Sequence, residues 1–341
     1  MDLDHVLGGI LPLWESIRDR SLFITGGTGF VGSWLLASLA WADESLRLNA
    51  HATVLTRSPS KFAESMPHLA EHPAITLLEG DMRTFAYPKG RFHFIIHAAS
   101  QEPANMSASG LLDKCDTDVA GTQRVLGFAR HARALRLLFT SSGAVYGLQP
   151  AELERVSEGY SGTPDPCDPR TAYGRSKRMC ESLCASCAKD TGIACVVARC
   201  FTFVGPMLPL NSGYAVGNFI RDALGGGPID VRGDGSPFRS YLYSADLAIW
   251  LWTLLFSGRS CRPYNVGSAD ELTILELART VARVVAPGMP VMVKREPALD
   301  RAPERYVPCV DRARCELGLT QQVRLEDALG RTASWHLQQE T

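Results

Sequence analysis

A tyrosine and a lysine four residues apart, Tyr173 and Lys177 in "AYGRSKR", carry the most specific chemistry in the 341-residue chain. At that spacing both side chains leave one face of a helix. A lysine beside a tyrosine favours phenolate over phenol, which makes the ring oxygen a general base for an alcohol proton. The pair alone would equally suit a solvated helix face, but it gains force from "TSSGAVYG" upstream, where Ser141 and Ser142 close an apolar, β-rich run. A serine at that strand end can hydrogen-bond the same substrate oxygen that Tyr173 deprotonates.

A second constellation lies near the N-terminus. "SLFITGGTGFVGSWLLASLA" at 21–40 passes from a short apolar stretch into Gly26, Gly29 and Gly32 and then into a helical pattern. Glycine takes the backbone angles of a tight strand-to-helix turn and, without a Cβ, lets the chain approach a pyrophosphate at the helix N-terminus. Asp81 in "EGDMR" ends a later apolar run, where its carboxylate can accept from an adenine amino group or cap its own loop. "HAAS" at 97–100 puts small residues at a strand end and leaves room for a flat ring.

These residues need a sheet that delivers them to one edge. Apolar runs at 21–25, 52–56, 75–79, 92–99, 135–142 and 193–200 alternate with helical stretches, which predicts βαβ units and a mostly parallel sheet. The fold class is therefore α/β, a doubly wound (Rossmann) parallel sheet with a smaller C-terminal substrate-binding lobe. Residues 1–200 form the dinucleotide-binding domain and 201–341 mainly the lobe, with segments about 242–266 returning to the first domain. Leu7, Ile10, Leu11, Trp14 and Ile17 recur at helical spacing and predict an amphipathic lead-in helix lying on that domain.

The combination "TGGTGFVG", "GDMR", "HAAS", "SSGAVYG", "YGRSK", "RCFTFVGP" and "GDGSPFRSYLYSADLA" resembles the extended short-chain dehydrogenase/reductases, in their nucleotide-sugar epimerase/dehydratase branch. The resemblance covers roughly residues 20–320. It implies that Tyr173 is the acid/base, that Lys177 binds the nicotinamide ribose and tunes Tyr173, and that Ser142 polarises the substrate oxygen. It further implies dinucleotide contacts from Gly26, Thr28, Gly29, Phe30, Gly32, Arg57, Asp81, Met82, Ala98 and Ala99, and substrate contacts from Ser100, Asn218, Arg239 and Arg301. Two arginines in a Gly/Pro-rich lobe suit bidentate phosphate recognition in their own right. The family also commonly pairs its Tyr/Lys helix with a second copy, which implies a homodimer through Met179, Cys180, Leu183, Cys184 and Cys187.

Three departures limit what carries over. Asp118 stands in "DVAGT" where many relatives have Asn in a water-mediated relay. Thr56 replaces the usual Asp at the end of the second strand and is followed by Arg57, which favours NADP over NAD because a guanidinium can take a 2′-phosphate. Gly143 and Ala144 occupy positions where the 4,6-dehydratases carry Asp-Glu and the glucuronate decarboxylases a Glu. With no local acid or base for dehydration, the expected activity is C4 epimerisation of a nucleotide sugar by transient oxidation. The alternatives are a 4-keto reductase, a decarboxylase or dehydratase using an acid elsewhere such as Glu102, and a non-catalytic dinucleotide sensor.

Composition excludes other classes. Lys plus Arg number 35 against 36 for Asp plus Glu, and 45% of residues are hydrophobic. A large core follows, and no basic excess marks a nucleic-acid binder. The first twenty residues hold Asp2, Asp4 and Glu15 and do not read as a secretory signal, so the expected compartment is the cytoplasm. Cys180, Cys184 and Cys187 in "CESLCASC" lack a second pair or a His at zinc-ligand spacing; buried thiols, not a metal site, are expected.

Overall fold

The structure, a computed structural model, describes residues 1–100, 108–162, 164–296 and 302–339. Seven runs form one sheet: β1 (Ser21–Thr25), β2 (His51–Thr56), β3 (Ile75–Glu79), β4 (Phe94–His97), β5 (Arg136–Ser142), β6 (Ala194–Cys200) and β7 (Pro263–Val266). Their order is β7-β6-β5-β4-β1-β2-β3, and every neighbouring pair is parallel. The strands are apolar along most of their length because helices cover both faces. Connections leave β1 in one direction to β2 and β3 and return on its other side from β4 onward. The crevice at the carboxyl ends of β1 and β4 is thus the switch point where a doubly wound sheet takes a ligand.

The helices used below are α1 (Asp2–Gly9), α2 (Phe30–Leu46), α3 (Ala108–His131), α4 (Ala172–Thr191), α5 (Ala215–Leu224), α6 (Ser244–Ser257), α7 (Ile274–Val285) and α8 (Leu325–Gln339). On one face α2 and α6 build the larger core, where Trp252 Nε1 donates to Ser38 Oγ at 2.9 Å and the Trp252 ring lies 5.2 Å from that of Trp14. On the other face α3 and α4 cover an aromatic cluster centred on Phe23 and Phe128. Cys180, Cys184 and Cys187 belong to that second core as small apolar side chains, and burial pushes the Cys184 thiol well up. The three thiols therefore face their own sheet and are unavailable to a partner subunit, which corrects that part of the expected dimer surface. Met179, on the same helix, is exposed.

The lead-in segment differs from the single helix expected. α1 ends at Gly9 and a 3₁₀ turn follows over Leu11–Ile17, begun at Pro12. The tighter winding keeps Ile10, Trp14 and Ile17 buried but turns Leu11 outward, where it is 49% exposed. This segment ties the two parts of the molecule together: Asp2 accepts from Tyr243 and Arg331, each at 2.6 Å, and His5 lies 3.0 Å from Asp246.

The smaller lobe rests on a three-stranded sheet with Phe238–Ser240 at its centre, antiparallel to Glu271–Thr273 and parallel to Arg305–Tyr306. Thr273 opens α7 with a capping box closed by Glu276. Arg239 and Tyr306 are register partners, so the lobe aims both in one direction. No helix among the described residues is long and apolar enough to cross a membrane.

Candidate active site

A cavity of about 1240 Å³ runs from the glycine turn after β1, past the ends of β4 and β5, to the strand bearing Tyr306. Drug-sized ligand pockets span roughly 300–1,000 Å³, so this space suits two ligands laid end to end.

Its first wall is the glycine turn, whose three glycines do different work. Gly26 sits at φ +73°, and a Cβ there would lie 2.4 Å from the Ala99 nitrogen. A Cβ on Gly32 would lie 2.2 Å from the Gly26 carbonyl oxygen. Both are demanded by packing of the turn against β4 and α2. Gly29 is different: its Cβ would meet only the Gly26 oxygen, at 3.6 Å, and it lines the cavity. Here the missing side chain leaves an open cradle before the unpaired N–H groups of the first turn of α2, which fits a pyrophosphate.

Thr56, Arg57, Ser58, Lys61 and Asp81 line the next stretch of the cavity. The Asp81 carboxylate already holds Arg83, accepting from Nε at 2.8 Å, Nη2 at 3.0 Å and the backbone N–H at 2.8 Å. That hydrogen bonding keeps its carboxyl below the usual range. Of the two roles open to Asp81 in the sequence, the loop cap is the one its hydrogen bonds serve. Met82, Ala98, Ala99 and Ser100 also line the wall, with Thr28 and Phe30 on the turn. His97, one residue deeper, lies between the Thr25 and Thr122 hydroxyls at 2.7 and 3.0 Å. Burial, aided by the charge of Lys177, pushes it down to about 3, so it stays neutral.

Ser142, Tyr173 and Lys177 meet at the centre of the cavity. β5 delivers Ser142, whose Oγ accepts from the Ala144 N–H at 3.1 Å and lies 3.4 Å from the Tyr306 hydroxyl. The neighbouring Ser141 hydroxyl donates instead to Glu181 at 2.6 Å, and Glu181 is held in turn by Arg199. Lys177 is 2% exposed; its Nζ donates to the Thr140 carbonyl at 3.2 Å and stands 5.9 Å from the Tyr173 ring centre. Burial alone would lower the Lys177 ammonium, but the charges of Tyr173 and Asp118 hold it above its ordinary value. α4 comes close enough to set this geometry because residue 174 is glycine: a Cβ there would lie 2.1 Å from the Ala144 carbonyl oxygen.

Two further groups escaped sequence reasoning. Lys114 on α3 places its Nζ 4.3 Å from the Tyr173 ring centre and 2.6 Å from Asp118 Oδ2. Its signal was present as Lys-x-x-x-Asp in a helix, beside the Asp118 already noted. Tyr306 fills the space beside Gly143, where an added Cβ would lie 2.8 Å from its hydroxyl and 2.7 Å from Phe201 Cζ. No local pattern pointed to it.

Arg239 lines the far end of the cavity and lies over the Tyr306 ring at 5.9 Å. Asn218 does not line the cavity, contrary to expectation. α5 turns Val216, Gly217, Phe219 and Ile220 inward, which leaves Asn218 on the flank, where its Oδ1 accepts from Arg221 at 3.2 Å. Arg301 and Glu102 lie outside the described residues.

The sequence model of the NAD dependent epimerase/dehydratase family matches residues 22–267. UDP-glucuronic acid decarboxylase 1 of Xenopus tropicalis is 32% identical over 319 residues, which is 93% of this chain and 72% of that one. Two solved structures share the fold. The UDP-glucose 4-epimerase of Thermotoga maritima with UDP-glucose has a TM-score of 0.79 at 20% identity, covering 94% of this chain and 100% of that one. The dTDP-glucose 4,6-dehydratase of Bacillus anthracis with NAD has a TM-score of 0.76 at 18% identity, covering 94% and 97%.

Proposed function

The chain belongs to the NAD dependent epimerase/dehydratase family, and on that premise we propose that it is an enzyme acting at C4 of a nucleotide-linked sugar, with a uronic acid as the substrate and decarboxylation as the outcome. The observation that carries the reading is the meeting of Ser142, Tyr173 and Lys177 in one cavity with the open cradle at Gly29. That cradle and the small residues after β4 fit a dinucleotide, which supplies a hydride acceptor when bound; the structure does not distinguish NAD from NADP. The remaining steps fall to this chain. Tyr173 accepts the proton of the C4 hydroxyl, Lys177 balances the resulting charge, and Ser142 holds the same oxygen.

Decarboxylation is favoured by the relatives and is compatible with the departures at Gly143 and Ala144. A ketone at C4 stands β to the C6 carboxylate, so the carbonyl itself receives the electron pair when carbon dioxide leaves, and Ser142 and Tyr173 stabilise the oxygen where that charge gathers. No carboxylate base is needed for the cleavage. C5 must then regain a proton, and Tyr306, 3.4 Å from Ser142, is a donor beside it. One observation keeps epimerisation as a second reading: positions 143 and 144 offer neither acid nor base, and the space beside Gly143 is filled.

Incubation with UDP-glucuronate and NAD, followed by proton NMR and mass spectrometry, separates the two. A UDP-pentose lighter by carbon dioxide supports the proposal, while a C4 epimer of unchanged mass establishes the second reading. If UDP-glucuronate is untouched while a 4-keto nucleotide sugar consumes NADPH, the chain is a reductase and both readings fall.

A further inference from the structure

Asp118 stands where a neutral Asn is usual in the family this chain resembles, and it brings a negative charge into the wall behind the proposed base. It is 3% exposed, so water does not screen that charge. Its Oδ2 is answered by the Lys114 Nζ at 2.6 Å, four residues earlier on α3, and Lys114 is itself 1% exposed. The same carboxylate oxygen accepts from Ser176 Oγ at 3.4 Å, and Ser176 also donates to the Tyr173 carbonyl at 2.9 Å. Lys114 Nζ donates to Ser100 Oγ at 3.2 Å and lies over the face of the Tyr173 ring, 4.3 Å from its centre.

We propose that Lys114 and Asp118 form one neutral positioning device, in which Asp118 fixes the Lys114 ammonium over the Tyr173 ring and Lys114 cancels the charge of Asp118. A phenolate spreads its charge into the ring carbons, so a cation on the ring face favours phenolate more than phenol. A lone carboxylate at the same depth acts in the opposite sense. The ring is thus gripped from two sides, by Lys177 along its own helix and by Lys114 from α3. The buried pair is retained because neither charge is tolerable alone. Neither residue is placed in contact with the reacting atoms; both act through Tyr173. The inference rests on the assignment of Tyr173 as the proton acceptor.

The remaining titratable groups near this point are Lys177 on α4, Cys115 on α3, Tyr306 on the strand facing it and, behind Lys177, the neutral His97 and Cys200. All of them stay in place in the variants Lys114→Met, Asp118→Asn and the double substitution. The test follows tyrosinate ultraviolet absorbance of the full chain against pH, with each variant read against its own Tyr173→Phe partner so that only Tyr173 is seen. Lys114→Met is expected to move the Tyr173 step to higher pH by about one unit or more. Lys114→Met with Asp118→Asn is expected to recover at least half of that shift. An unchanged step in Lys114→Met, or no recovery in the double variant, overturns the proposal. If Lys114→Met does not fold, the double variant against the unaltered chain decides: a step moved upward supports the device, and an unmoved step overturns it. The readout needs no substrate, so a wrong choice of sugar chemistry leaves it intact and fails separately, in the product analysis.

Discussion

Alanine at Gly29 and at Gly32 should produce opposite defects, although both replace a glycine of the same turn. At Gly32 the new Cβ would meet three backbone atoms, the Gly26 oxygen at 2.2 Å, Gly27 Cα at 2.4 Å and Gly27 C at 2.6 Å. Overpacking costs about 1–3 kcal/mol when side chains can yield. Backbone cannot yield so easily, and the expected loss at Gly32 is at or above about 3 kcal/mol. Gly29 is the N-cap of α2 at φ −90°, ψ 175°, angles open to alanine. There the entropy gained by restricting the unfolded chain, about 0.4–1 kcal/mol, is partly offset by a few tenths lost at the cap. Gly29→Ala should therefore melt within a few degrees of the unaltered protein while its methyl occupies the cradle. Its dinucleotide Kd should rise by about tenfold or more, roughly 1.4 kcal/mol. Thermal melting by circular dichroism and titration with NADH fluorescence measure the two quantities. Unchanged dinucleotide affinity in Gly29→Ala would show that the phosphates do not lie at this turn, and a large drop in its melting temperature would refute the open space described there.

Tyr173→Phe should lower turnover by about 10²–10⁴-fold with dinucleotide binding kept, and Ser142→Ala by less; near-normal turnover in Tyr173→Phe would remove it as the base. His97 is held at about 3 when folded, below its ordinary 6.5, so only the unfolded chain takes up its proton between those values. Its share of stability is present above pH 6.5 and lost as pH falls toward 3, up to about 5 kcal/mol; His97→Gln should flatten acid unfolding over that window, and an unchanged curve would contradict the assignment. Arg57→Ala should weaken NADP binding by about tenfold and leave NAD nearly unaffected in calorimetric titration, whereas equal losses would mean that the guanidinium does not meet a 2′-phosphate. Light scattering at micromolar concentration should report twice the chain mass, with the exposed Leu112 and Met179 of α3 and α4 in the contact; a monomer would exclude it.

The parts of the site that local spacing dictates were legible in the chain. The glycine turn follows a strand and opens a helix, Ser142 ends a strand, and Tyr173 and Lys177 share a helical face; each is fixed within a few residues of sequence. The alternation of apolar runs likewise announced the parallel sheet, β1 to β6 appearing close to their expected bounds. What stayed hidden depends on distant elements. Tyr306 reaches Ser142 only because its strand pairs beside Arg239 in the smaller lobe. Lys114 acquires meaning only when α3 packs on α4 and carries its ammonium over Tyr173. Asn218 misled for the complementary reason: it matched a family position, but the apolar face of α5 decided where it points. Asp118 was visible as an oddity, and its partner four residues away explains how it is tolerated.

The central claim is that hydride leaves C4 of the sugar while Tyr173 takes the hydroxyl proton. A rapid-mixing experiment with the proposed substrate deuterated at C4, followed by reduced-nicotinamide absorbance in a single turnover, tests it most directly. The absorbance should rise and then decay, the rise should be slower with deuterium at C4 than with hydrogen, and Tyr173→Phe should suppress it. Turnover with no transient reduction and no deuterium effect at C4 would contradict the account.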